Sequence, residues 1–381
     1  MKCLGLFAGI GGIEVGLGRS TFETEMLCEV SPAARSVLAA RFPGVPIVED
    51  VRTLEAIPDV DLVAAGFPCQ DLSQAGRTKG IAGHNSSLVN EVFRLIEGAR
   101  RKPNWLLFEN VPFMLALQRG QAMRHLVSSI EELGYRWAYR VVDARSFGIP
   151  QRRRRVVFLA SRADRPQDVL LSDDAGESPI AINRRTGRGF YWTEGRTGLG
   201  WALGAIPTLK GGSSIGIPSP PGIWFPGRRV LGMPEIRDAE RLQGFDANWT
   251  LAAETVAQGG RNLRWKLVGN AVCVPMMEWV GHKLQEPSRY TGTRDPRWEG
   301  DGAWPDAAWG GAGKIHVSPA SNWPVAANPV SLNEFLHYPT KSLSARATAG
   351  FLSRARSSGL RFEDGFLNDV EHHLRVVSAA L

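Results

Sequence analysis

The chain has little cysteine: four residues in 381, at positions 3, 28, 69 and 273. They are scattered, with no Cys-x-x-Cys pair and no histidine at ligand spacing, so neither a disulfide framework nor a zinc site is indicated and free thiols are the simplest account. No apolar run approaches the roughly 18 residues of a membrane span. The opening Met1-Lys2-Cys3-Leu4-Gly5 leads straight into a strand pattern without the layout of a signal peptide. A soluble, cytoplasmic protein is expected. A third absence concerns glycine. Gly9 and Gly11 follow an apolar stretch, but the G-x-G-x-x-G dinucleotide fingerprint needs its third glycine at position 14, where the chain has Glu14. That departure disfavours nicotinamide chemistry.

What is present is ordinary for a globular protein, with 43% hydrophobic and 22% charged residues. The length allows two or three domains. A formal charge of +7 favours a polyanionic partner, although many soluble proteins share such a charge.

Lys2 to Phe7 reads as a strand, and Ala8-Gly9-Ile10-Gly11-Gly12 turns it into a helix beginning near Ile13. A glycine-rich turn of this kind lets a ligand approach the backbone beside a helix N-terminus. Met26-Leu27-Cys28 is a second strand ending at Glu29-Val30, and Val45 to Val48 a third ending at Glu49-Asp50-Val51. An acid at the end of the second strand is where α/β nucleotide folds meet ribose hydroxyls.

Asp61-Leu62-Val63-Ala64-Ala65 is a short buried strand closed by Gly66-Phe67-Pro68-Cys69-Gln70-Asp71-Leu72-Ser73. Pro68 fixes its own φ and biases Phe67 towards extended backbone, so the approach to the Cys69 thiol is stiffened on both sides. A lone cysteine is ordinarily a small buried residue, yet a stiff loop at a strand end suits a nucleophile. Ser73 to Asn85 reads as a mobile loop of the kind that closes over substrate. Helical spacing follows through Leu88, Val92, Leu95 and Ile96.

Trp105-Leu106-Leu107-Phe108 then delivers Glu109-Asn110-Val111 to the same sheet edge. A carboxylate there is costly unless it has a partner or a proton to handle. After a helix ending at Gly134 and a strand over Tyr139 to Val142 comes Gln151-Arg152-Arg153-Arg154-Arg155, running into an apolar strand. Alternation places Gln151, Arg153 and Arg155 on one face and Arg152 and Arg154 on the other.

From about Arg165 to Gly232 apolar periodicity is lost, but Phe190-Tyr191-Trp192, Trp201 and Ile223-Trp224-Phe225 are too aromatic for a disordered linker. A small irregular domain is expected, its arginines and aromatics suited to phosphate contact and base-edge readout. Arg237 to Phe245 reads as a short helix, and Gly269-Asn270-Ala271-Val272 leads into a last helix through Leu284. Beyond 286, Trp298, Trp304, Trp309 and Trp323 stand among glycine and proline, an auxiliary surface that should be removable.

Leu6-Phe7-Ala8-Gly9-Ile10-Gly11-Gly12, Pro68-Cys69-Gln70, Glu109-Asn110-Val111, Gln151-x-Arg153-x-Arg155 and Gly269-Asn270-Ala271-Val272 together resemble, in order, the motifs of the cytosine-5 DNA methyltransferases. The resemblance runs from residue 3 to about 285. It implies an α/β fold: a doubly wound, Rossmann-like S-adenosylmethionine-dependent methyltransferase domain over 1–164, a smaller irregular target-recognition domain over 165–262, and a cleft between them for duplex DNA. A helix within 263–285 would fold back beside the glycine loop to complete the catalytic domain, leaving 286–381 as an extension.

The implied roles are Cys69 as nucleophile, Glu109 as catalytic acid, and Arg153 and Arg155 as holders of a flipped base. S-adenosylmethionine would be held by Phe7 (packing on adenine), Ala8, Gly9, Gly11, Gly12, Glu29 (ribose), Val30, Asp50 (adenine amino group), Val51, Pro68, Leu88, Asn270 and Val272. Double-stranded DNA would be met by Gln70, Ser73, Gln151, Thr208 of Pro207-Thr208-Leu209, Arg241 and Gln243. One departure is Asn85-Ser86, where the family usually has Arg-Gly before the residue matching Leu88.

The resemblance implies methyl transfer to C5 of a flipped cytosine in a specific DNA sequence, in a restriction-modification or phage/host DNA-protection setting, by a monomer without metal or membrane. A non-catalytic DNA-binding regulator on the same fold, or a tRNA cytosine-5 methyltransferase, stays open at this point. Exchanging residues 165 to 232 for those of a relative should move the methylated site, as read by sequencing modified positions; site choice that stayed with the flanks would refute the assignment.

Overall fold

Short apolar runs that end in glycine or a polar residue make the strands of the larger sheet: β1 (Lys2–Leu6), β2 (Glu23–Cys28), β3 (Ile47–Val48), β4 (Leu62–Ala65), β5 (Trp105–Asn110) and β6 (Arg136–Asp143). The computed structural model describes residues 1–67, 88–178, 182–212, 220–256, 262–300 and 302–380. Pro68, Cys69, Gln70, Ser73 and the loop expected over Ser73 to Asn85 lie outside the described residues. The arginine run divides into β7 (Gln151–Arg152) and β8 (Arg154–Ser161), with burial alternating as expected: Gln151, Arg153 and Arg155 inward, Arg152 and Arg154 outward.

Two compact units are formed. The first comprises Met1–Ser146, Arg154–Glu177 and Ala271–Ala326. Its sheet has nine strands, in the order Lys314–Val317, Ala307–Gly311, β6, β8, β5, β4, β1, β2, β3. Strands β3, β2, β1, β4 and β5 are mutually parallel, and β8 runs antiparallel between β5 and β6. This is a doubly wound sheet, and chain order reverses between the neighbours β1 and β4. Open α/β sheets bind ligands outside the carboxyl ends of their strands at such a reversal. Here those two ends carry Phe7 to Gly12 and Gly66-Phe67.

Helix α1 (Gly12–Gly18) starts directly from the glycine loop. The helix Val274–Gln285 packs against it, with Arg19 paired to Glu278 at 2.9 Å and the Ser20 hydroxyl donating to the Glu278 carbonyl.

The tail is not one extension. Ala307–Gly311 pairs antiparallel with β6, and Lys314–Val317 pairs with Ala307–Gly311. Trp304 lies 5.9 Å from the Trp137 ring and 6.2 Å from Tyr139, within the same core as Phe158, and its indole N–H donates to the Gly120 carbonyl. Without these strands β6 would present an open edge.

The second unit comprises Phe147–Arg153, Ser178–Asn270 and Ala327–Leu381. The stretch expected to be irregular supplies four strands of a five-stranded sheet, in the order Ala202–Leu203, Arg188–Phe190, Gly222–Phe225, Val230–Met233, with Lys341–Ser342 of the tail as the fifth. Its antiparallel strands of two to four residues are too short to show a period. Phe351 and Phe366, from the helices Ala345–Arg356 and Phe366–Ala379, pack on Phe190 at 5.1 and 5.3 Å. The expected boundaries differ from these units: 147–153 belongs to the second, 165–177 to the first, the helix Leu263–Asn270 to the second, and the tail divides after Ala326.

Trp304→Ala should cost about 3–5 kcal/mol, seen as a lower denaturation midpoint at constant slope. A chain ending at residue 286 should give no cooperative transition, contrary to the removable tail that the sequence suggests.

Candidate active site

The glycine loop is built on left-handed backbone. Phe7 has φ 54°, Gly9 φ 57° and Gly11 φ 85°. Only glycine takes such angles without strain, so Phe7, with its side chain, marks a conformation imposed by its surroundings. The Ala8 N–H donates to the Cys28 carbonyl at 3.1 Å, and the Gly9 N–H to Glu29 Oε2 at 2.8 Å. Glu29 Oε1 accepts from the Ser31 N–H at 2.8 Å, so this half-buried carboxylate joins the ends of β1 and β2. Val30 beside it is exposed. Asp50, past the end of β3, takes the Arg52 guanidinium Nε at 3.0 Å to each carboxylate oxygen, which holds it below the usual carboxylate range. Val51 is buried.

At β4, a Cβ placed on Gly66 would lie 3.9 Å from the Phe7 carbonyl oxygen and 4.0 Å from Val272 Cγ2. The reversal point thus gathers the glycine loop, Gly66 and Val272. Asn110 at the end of β5 fastens the next strand to this group. Its Nδ2 donates to the Phe67 carbonyl at 3.0 Å and its Oδ1 accepts from the Val111 N–H at 2.8 Å. Phe67 also meets Phe108 edge-on at 5.6 Å.

Glu109, one residue earlier and buried, forms an ion pair with Arg155 Nε at 2.8 Å. The Arg155 Nη1 donates in turn to the Arg154 carbonyl. Burying a carboxylate is tolerable with such a partner. Leu88, half-buried, opens the helix Leu88–Glu97.

The remaining expected site residues belong to the second unit, where most are internally occupied. Arg153, 1% exposed, directs its guanidinium at the Leu209 carbonyl, 3.1 Å away, and at that of Gly269. Gln151 is fully buried, donating to the Leu242 carbonyl at 2.7 Å and accepting from the Leu209 N–H at 2.8 Å. Gln243 donates to the Val268 carbonyl, Arg241 pairs with Asp238 at 2.6 Å, and the Thr208 hydroxyl donates to the Arg152 carbonyl. Asn270 is exposed. Among the described residues no cluster of three or more His, Cys, Asp or Glu could hold a metal.

The pattern of the family described as C-5 cytosine-specific DNA methylase matches residues 1–186. The chain is 48% identical to the Type II methyltransferase M2.BsuMI of Bacillus subtilis (strain 168), over 97% of both chains. This chain belongs to the C-5 cytosine-specific DNA methylases. It is also 28% identical to the Type II methyltransferase M.NlaX of Neisseria lactamica, across 74% of this chain and 96% of that one. Among solved structures, the S. pombe Dnmt2 methyltransferase is similar at a TM-score of 0.56 and 16% identity, covering 75% of this chain and 98% of that one, which bears on the fold.

Two residues of this methylase carry structural weight that motif reading overlooks. Asn110 was legible only as the middle of a three-residue motif, yet it is the link between β5 and the segment leading to Cys69. Glu14, the third residue of α1, is 2% exposed, and among the described residues no other residue donates a hydrogen bond to either of its carboxylate oxygens. Burial pushes it up to about 7, with Glu29 adding to the effect. The missing third glycine at this position was the only signal.

Asn110→Ala should leave the Phe67 carbonyl without its donor and cost about 1–3 kcal/mol in chemical denaturation. The unfolded Glu14 carboxyl ionises near 4.5 and the folded one near 7. Its contribution to stability should therefore fall as pH rises between those values and stay flat above. The stability difference between Glu14→Gln and the parent should grow across that window and then level off.

Proposed function

We propose that the enzyme transfers the methyl group of S-adenosylmethionine to C5 of a cytosine flipped out of a specific duplex DNA sequence, within a restriction-modification setting. The observation that carries this reading is the join at the carboxyl ends of β4 and β5: Glu109 paired to Arg155, with Asn110 holding the backbone that leads to Cys69.

The loop fits the cofactor better than a phosphorylated ligand. Glu29 and Asp50 bring carboxylates to this edge, which repel a pyrophosphate and suit a cation and hydroxyls. A Cβ on Gly9 would meet nothing within 4 Å, so space lies open beside the strained loop. Phe7, Gly9, Glu29, Val51 and Val272 would hold the ligand, and Asp50 would have to share its carboxylate with Arg52. Bound S-adenosylmethionine supplies an electrophilic methyl group on a sulfonium.

Cytosine C5 is a weak nucleophile in the intact ring. In this reading the Cys69 thiolate adds at C6 while Glu109, its carboxyl oriented by Arg155, handles the proton at N3. The addition gives C5 enamine character. Loss of the C5 proton and then of the thiolate restores the aromatic ring after methylation. The base has to leave the stack first, at a cost of a few kcal/mol. Arg155 is the arginine placed to assist, whereas Arg153 braces Leu209 and Gly269 within its own unit. Target choice is assigned to the second unit. There Arg188 is committed to Glu363 and Arg229 to Asp369, so the exposed Arg184, Arg185, Arg196 and Arg228 are the candidates for DNA contact.

Duplex DNA carrying 5-fluorocytosine at the target should trap the protein covalently when cofactor is present, because fluorine cannot leave as a cation in the last step. The adduct should survive denaturation, map to Cys69 and be absent in Cys69→Ser. Glu109→Gln should lower kcat by about 10²–10⁴-fold. An adduct at Cys3, Cys28 or Cys273, or transfer to tRNA in preference to duplex DNA, would overturn the proposal.

A further inference from the structure

Glu14 has no part in the methyl transfer itself, and its surroundings are unusual. It lies in the first turn of α1, directly after the left-handed loop, and its carboxyl group fills the space at Gly5 of β1, where any Cβ would collide with Glu14 Oε1. The glycine at position 5 and the acid at position 14 are therefore a matched pair: one makes the room that the other occupies. Among the described residues no other residue donates to the buried oxygens, and only its own backbone N–H partly offsets their burial. A buried carboxyl without a donor burdens the free protein, and such groups concentrate at functional sites.

The titratable groups acting on it are Glu29, from the end of β2, and Cys3, from β1. The helix Val274–Gln285 packs on α1 at Gly16 through Val274, Met277 and the Glu278 backbone, and the Glu278 carboxylate is taken up by Arg19 at 2.9 Å. Glu29 is already anchored by the Gly9 and Ser31 N–H groups and opposes the ionisation of Glu14. A cation bound at the loop relieves both carboxylates at once.

We infer that Glu14 is a positioning residue for the cofactor, whose carboxyl ionises beneath the glycine loop when a sulfonium occupies it and so favours the charged methyl donor over the uncharged thioether product. This rests on the reading that the loop binds S-adenosylmethionine. Burial raises its pKa to about 7, so in the free protein the residue is about half protonated at neutrality and loses that proton on binding. Affinity for the sulfonium ligand therefore rises with pH up to about 7 and then levels.

The test is calorimetric titration of the full chain, without DNA, using S-adenosylmethionine and S-adenosylhomocysteine between pH 6 and 8.5, in two buffers of different ionisation enthalpy. For the parent, the sulfonium ligand should bind up to about tenfold more tightly at pH 8 than at pH 6, one pKa unit corresponding to a factor of ten. Proton release near pH 7 should be larger than for the thioether. Glu14→Gln should bind both ligands, lose that release and flatten the profile. The ligand amino group titrates equally in both proteins, so their difference isolates Glu14. Flat affinity and equal proton release for both ligands in the parent would overturn the inference, and the parent measurement decides even if the variant fails to fold. A variant that keeps the pH profile would also overturn it. If the parent bound neither ligand at any pH, the cofactor reading itself would fall.

Discussion

The parallel pairing of β1 with β4 is the constraint on which the rest of the site depends. It puts strands that are far apart in sequence side by side, Cys3 to Leu6 against Leu62 to Ala65, and makes chain order diverge on either side. Around this reversal the glycine loop leaves from β1, Gly66-Phe67 from β4, and Glu109 and Asn110 end β5. The hydrogen bond from Asn110 to the Phe67 carbonyl then turns adjacency into a fixed relation. A short apolar strand between rigid neighbours is a better platform than a free loop, because its end can move only if the sheet does.

Electrostatically, this edge collects carboxyl groups and compensates them unequally. Glu109 has Arg155, Asp50 has Arg52, and Glu29 has two backbone N–H groups. Glu14 has none of these among the described residues. The compensation is thus graded, from a guanidinium partner for Glu109 and Asp50, through backbone N–H groups for Glu29, to burial with no other residue donating for Glu14.

The run of four arginines shows how far local pattern reaches. Alternation alone places Arg153 and Arg155 on the same face, and both are buried. What alternation cannot say is that the chain passes from one compact unit to the other between Arg153 and Arg154. As a result Arg155 meets a carboxylate while Arg153 meets main-chain carbonyls. The outward pair diverges in the same way, with Arg154 on Asp306 and Arg152 on the Trp201 carbonyl. Residues equivalent by period became different by partner.

By itself the sequence determined the order of the strand-end motifs, the continuous apolar strands that make β5 and β8 central, and the departure at position 14 from the dinucleotide pattern. These are local properties, set by side-chain period and by the few residues able to turn a chain. Only the tertiary structure decided that Glu14 fills the space left by Gly5, that Asn110 reaches Phe67, and that the tail divides between two sheets. Each of those outcomes is a contact across the fold. Such a contact depends on which surfaces remain open once nearer pairings are made, and Trp304 found its partners in Trp137 and Tyr139 because β6 still had an edge to cover.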